Sequence, residues 1–180
     1  MTNLKNPLAN AALTAARHKP VPRPRNVSRT SDKFIVRASA DLLNAMTELA
    51  RLQGRSANSE FISALTESLG GRKTATAARN IYAKYLGEDL AGEVLLTVER
   101  FDAVMCMGEE ASCIRLPEGV RSAVADLVDH KGGRGFTTMQ AWITDALVRW
   151  INVQRESDAL LRACIARDAT LGVASIEGPG

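Results

Sequence analysis

Residues Lys33 to Leu69 read KFIVRASADLLNAMTELARLQGRSANSEFISALTESL, and this stretch decides the fold. From Lys33 to Ala38 the chain alternates. Phe34, Val36 and Ala38 point one way, and Lys33, Ile35 and Arg37 point the other, the period-two mark of a half-buried strand. Ser39 or Asp41 can start a helix, because a short side-chain oxygen accepts from free backbone N–H groups. Leu42, Leu43, Met46, Leu49 and Ala50 fall on one face of that helix. Gly54 is placed to end it in a left-handed conformation. Ser56 then caps a second helix with Phe61, Ile62, Leu65 and Leu69 as its apolar face, and Gly70-Gly71 ends it. One strand and two short helices bury too little surface to be stable alone. A lone strand also leaves backbone groups that need a partner. The unit is therefore expected to fold only with a second copy.

The segment Gly54-Arg55-Ser56-Ala57-Asn58-Ser59-Glu60 and the strand Phe34-Ile35-Val36-Arg37 resemble the Arc and Mnt repressors of the ribbon-helix-helix family, as does Glu67-Ser68 with the apolar residue after it. The resemblance covers about a fifth of the chain. It implies a mainly α protein with a short β-ribbon that enters the major groove of double-stranded DNA. Carried over, the base readers are Lys33, Ile35 and Arg37, and Arg37 is suited to a guanine edge. Ile35 departs from the polar reader usual in the family and suits a thymine methyl. The resemblance assigns phosphate contacts to Phe34 and to the helix start at Ser56, Ala57, Asn58 and Ser59. Arg55 and Glu60 match two members of a buried Arg–Glu–Arg triad, and Ala64 stands at the third position. A homo-oligomer, a dimer or higher, assembled through ribbon pairing is implied.

Before this unit, residues 1–31 read as a flexible basic arm. Residues 1–37 hold eight basic groups and one acid, a net of +7, and the remainder nets −4. The run Pro20-Val21-Pro22-Arg23-Pro24-Arg25 cannot continue a helix. Arg23, Arg25 and Arg29 are expected to lie along DNA phosphates, the alternative being a solvated tail. Residues 1–25, rich in Ala and Arg and free of acids, also have the composition of an organellar presequence.

The pattern recurs at residues 110–156. Cys113-Ile114-Arg115-Leu116-Pro117 reads as a strand ending at a helix start, and Arg115 lies 78 positions after Arg37. Val120, Val124, Leu127 and Val128 make a helical stripe, and Lys131 to Gly135 is the turn. Thr137 or Thr138 caps a further helix with Trp142, Ile143, Ala146, Leu147, Trp150 and Ile151 inside. Three extra residues in the turn align Trp142 and Ile143 with Phe61 and Ile62. This is a divergent second ribbon-helix-helix unit with Ala111, Cys113 and Arg115 facing outward, and Arg115 is a possible second-ribbon DNA contact. The alternative is a pair of unrelated helices. The strands of the two units can pair within a chain or between chains.

Residues 72–109 form a helical connector: Ala75 to Leu86 is a helix, and Leu90 to Met107 is a second, unless Val94 to Val98 is a strand. Residues 157–180 are a helix extension, reaching about Ile165, and a tail frayed from residue 170. No nucleophile–base set, carboxylate pair or metal-ligand cluster stands out, so an enzyme is not expected. Cys106, Cys113 and Cys164 form no C-x-x-C pair, which points to idle thiols in a bacterial cytoplasm and to no metal or cofactor. Asp126 and Asp129 read as a solvated helix face.

The function expected is a sequence-specific transcriptional regulator of phage, plasmid or bacterial type, a repressor that binds a pseudo-palindromic operator as a dimer or higher oligomer. The rivals are an accessory scaffold for conjugation or partition resembling TraY, and an antitoxin-type module whose residues 110–165 hold a protein partner.

Overall fold

A computed structural model describes residues 32–71, 73–129 and 138–174. The element order is β1 (Asp32–Ala38), α1 (Ala40–Leu52), α2 (Ala57–Leu69), α3 (Lys73–Leu86), α4 (Glu88–Leu96), β2 (Glu110–Leu116), α5 (Val120–Asp129) and α6 (Met139–Ala174). The protein is mainly helical, with one two-stranded antiparallel ribbon. The basic arm and the Lys131 to Gly135 turn lie outside the described residues.

Local chemistry sets the first three elements as the sequence predicts. The Ser39 side chain accepts from the Leu42 N–H at 3.3 Å and caps α1. Gly54 adopts φ 65° in the turn to α2, a conformation that costs little without a Cβ. Ser56 caps α2, and Gly70 closes it.

The partner of β1 is β2 of the same chain. Asp32 pairs with Leu116, Ile35 with Cys113 and Ala38 with Glu110. The strand that was expected to wait for a second copy is satisfied internally across 78 residues of sequence. Both strands show the same alternation of burial along their seven residues. Val36, Ala38, Ile114 and Leu116 face inward and are fully buried.

The other half of the core comes from α6, which contacts β1 and all five other helices. From Trp142 to Asn152 every residue except Arg149 is buried, so this helix is a spine rather than a surface element. Leu147 and Ile151 pack with Met46, Phe61 and Leu65 in one cluster. Burying each such side chain contributes about 1.5–3 kcal/mol. A smaller cluster of Leu86, Ala91, Leu160 and Cys164 seats α3 and α4 on the C-terminal half of α6. There the Arg167 guanidinium donates to the Tyr85 carbonyl at 2.8 Å and closes the end of α3.

Three expectations need correction. The connector helix stops at Leu96, and residues 97–109 are irregular. The Thr97 hydroxyl turns back to the Val94 carbonyl at 2.7 Å, and Asp102 Oδ1 accepts from the Val104 N–H at 2.8 Å, so each competes with helix continuation. Asn152 then fixes this loop by accepting from the Phe101 N–H and donating to the Phe101 carbonyl, both at 2.9 Å. The C-terminal helix runs to Ala174, beyond both the Ile165 limit and the start of the expected frayed tail. Leu127, placed on the inner stripe of α5, is 40% exposed.

Candidate nucleic-acid interface

The ribbon turns one row of side chains away from the core. Lys33, Ile35 and Arg37 from β1 and Ala111, Cys113 and Arg115 from β2 are all exposed. The register sets Lys33 opposite Arg115, Ile35 opposite Cys113, and Arg37 opposite Ala111. From Lys33 to Arg37 the strand spans roughly 14 Å, about four base-pair steps. Ile35 leaves 54% of its surface in solvent at the centre of the row. Phe34 points the other way and packs, half-buried, against the core.

Lys33 and Arg115 are like charges directly across a strand pair, an arrangement that costs free energy in the unbound protein. Among the described residues no salt bridge engages Lys33, Arg37 or Arg115. Three uncompensated cations on one narrow face favour an anionic partner.

Two helix starts hold the ribbon edges. The Arg115 N–H donates to Asn58 Oδ1 at 2.7 Å, and Asn58 Nδ2 donates to the Arg115 carbonyl at 3.3 Å. On the opposite edge the Arg37 N–H donates to Gln140 Oε1 at 3.2 Å, and Gln140 Nε2 donates to the Arg37 carbonyl. Asn58 is the second residue of α2, and Gln140 is the second residue of α6. Each side-chain amide therefore supplies the edge hydrogen bonds that a third strand would otherwise make, and each fixes the backbone of an outward arginine.

The caps are alike as well. Ser56 Oγ accepts from the Ser59 N–H at 3.1 Å, and Thr138 Oγ1 accepts from the Ala141 N–H at 3.1 Å. Of the α2 N–H groups expected to hold a phosphate, that of Ser59 is occupied by the cap. Those of Ala57 and Asn58 precede the first intrahelical bond, from the Glu60 N–H to the Ser56 carbonyl.

Behind the α2 start lies Glu60, which has no exposed surface. Its Oε2 stands 3.2 Å from Arg55 Nε, so the expected pair is present. Its Oε1 accepts from Trp150 Nε1 at 2.7 Å. The indole supplies a donor where the family resemblance leaves only Ala64. Arg55 also donates to Ser63 Oγ at 3.0 Å and to Gln53 Oε1.

The β1, α1 and α2 part of this constellation lies within a family match. Residues 28–74 match the family described as Arc-like DNA binding domain. No curated protein and no solved structure matches the chain. The Arc-like match supports a DNA-binding regulator in general. No helix among the described residues is long and apolar enough to cross a membrane, and no described group of three or more His, Cys, Asp or Glu residues could hold a metal ion.

The structure thus gathers Lys33, Ile35, Arg37 and Arg115 on one face and sets Ser56, Ala57 and Asn58 beside it. Phe34 is not with them, and Arg23, Arg25 and Arg29 lie outside the described residues. Sequence reasoning missed Gln140 altogether and named Trp150 only as an apolar wall. One signal for Trp150 was legible: a buried indole N–H needs an acceptor, and a buried Glu60 lacking its second arginine needs a donor.

Proposed function

We propose that the protein is a sequence-specific transcriptional regulator, a repressor, that lays the β1–β2 ribbon in the major groove of its operator. The observation that carries this reading is the outward row with Arg37 and Arg115 each gripped at the backbone by a helix-terminal amide. Lys33, Ile35 and Arg37 read bases, joined by Arg115 from the second strand. The N–H groups of Ala57 and Asn58, with Ser56 beside them, hold a phosphate. Arg23, Arg25 and Arg29 add salt-sensitive affinity.

Residues 110–156 act in this reading as a divergent second ribbon-helix-helix unit. Support comes from the matching burial of the two strands and from the paired caps and amides. The strands are offset by 78 residues, and Ser56 and Thr138 by 82. Four residues rather than three then enter the second turn, which aligns Ile143 with Phe61 and Leu147 with Leu65. One chain supplies both strands of the ribbon, and any association between chains uses other surfaces.

The test is Arg37→Ala in the full chain. Discrimination at one guanine falls by about 1–3 kcal/mol, roughly 5- to 150-fold, while other positions keep their preference. Changing Arg23 and Arg25 instead lowers affinity on every sequence and flattens the salt dependence. Unchanged discrimination in Arg37→Ala removes the ribbon as reader. Footprints at a transfer origin or centromere array, rather than a promoter, replace repression with a scaffolding role.

A further inference from the structure

We propose that the DNA site of this protein is non-palindromic, with its asymmetry set by Lys33 and Ile35 on one strand against Ala111 and Cys113 on the other. The proposal rests on the ribbon being the reader. A ribbon built from two identical strands shows the same three side chains twice, related by a two-fold axis through the central pair. Here that axis passes through the Ile35–Cys113 pair. It relates Arg37 to Arg115, Ile35 to Cys113 and Lys33 to Ala111, and only the arginines agree.

Residues directly opposite on a ribbon have Cβ atoms about 5 Å apart, so each end meets DNA as a unit. One end carries Lys33 beside Arg115, two cations with several N–H donors. The other carries Arg37 beside Ala111, one cation and one methyl group. Arginine matches the O6 and N7 acceptors of guanine, lysine does the same as a point donor, and alanine suits a thymine methyl. The ribbon therefore asks for a guanine at related positions in both half-sites. A second guanine stands beside the one read by Arg115, and a thymine beside the one read by Arg37. At the centre Ile35 favours a thymine methyl, and Cys113 offers only a weak donor. The difference comes from side chains and not from the backbone, because Asn58 and Gln140 hold the two arginines in the same way.

Selection from a pool of random duplexes tests this with the full-length protein and two variants. The double variant Ala111→Lys, Cys113→Ile makes both strands present Lys, Ile and Arg. The reciprocal Lys33→Ala, Ile35→Cys makes both present Ala, Cys and Arg. All four positions are exposed, and thermal melting verifies folding. The wild-type protein is expected to select an asymmetric site, and replacing one half-site by the inverted copy of the other costs on the order of tenfold in affinity. Each variant is expected to select a palindrome, a different one for each. A palindrome selected by the wild type, or an asymmetric site kept by both variants, overturns the proposal. A wild-type protein that selects no sequence overturns the ribbon reading beneath it, and loss of the preference for one guanine in Arg37→Ala separates that failure from this one.

Discussion

Trp150 Nε1 donates a 2.7 Å hydrogen bond to Oε1 of Glu60, across 90 residues of sequence and entirely inside the protein. The bond ties the spine helix α6 to the first turn of α2, the same turn whose Asn58 holds Arg115. A buried carboxylate with a single neighbouring cation requires such a donor, because an unpaired buried charge is costly. Trp150→Phe is expected to lower stability by about 2 kcal/mol in urea denaturation. Combining it with Glu60→Leu is expected to cost less than the sum of the two single changes, by about 1 kcal/mol, since neither partner is then left unmatched. Strict additivity would remove the bond from the account.

A second prediction concerns Gly108. A Cβ there would stand 2.6 Å from the Ala38 carbonyl oxygen and 2.7 Å from the Ser39 nitrogen. Both are backbone atoms, held by the Ala38–Glu110 pair and by the 2.8 Å bond from the Ser39 N–H to the Cys106 carbonyl. Gly108→Ala is expected to destabilise by about 1–3 kcal/mol, the range for overpacking. Chemical denaturation reads the loss.

Lys33 separates stability from function. Its repulsion with Arg115 weakens the free ribbon, whereas in the proposed function the same charge attracts DNA. Lys33→Ala is expected to stabilise the free protein at low salt by about 0.2–1 kcal/mol and to weaken DNA binding. A Tm that falls, or an affinity that rises, contradicts the placement of both cations on one face.

Thiol chemistry reports on the same face. Cys113 is exposed on the outward row of the ribbon, and Cys106 and Cys164 are buried. Burial also pushes the Cys106 thiol up, which keeps it protonated and unreactive at neutral pH. An alkylating reagent is expected to modify Cys113 first in the native protein, with the other two reacting on unfolding. Saturating DNA should then slow Cys113 to the rate at which DNA dissociates. Mass spectrometry of the labelled peptides checks both points.

The parts legible in the sequence are those whose physics is local. Alternation from Lys33 to Ala38 predicted which side chains face outward, and the same alternation held in β2. Ser39, Gly54 and Ser56 predicted helix ends, because capping and left-handed turns involve residues three or four apart. The connector was read less well. Val94 to Val98 is apolar enough for either regular structure, and the irregular path after Leu96 is fixed by Asn152, which holds Phe101 from more than 50 residues away.

The sequence by itself determined the ribbon-helix-helix unit at Lys33 to Leu69, its outward Lys33, Ile35 and Arg37, and the Arg55–Glu60 pair. Only the tertiary structure decided that β1 pairs within its own chain, that Trp150 donates to Glu60, and that Gln140 closes the edge at Arg37. Backbone propensity and side-chain period act over a few residues, whereas these three contacts join groups 78, 90 and 103 positions apart. Such contacts arise where long-range burial brings a donor to an acceptor, and α6, buried on nearly every side between Trp142 and Asn152, is the element that does so.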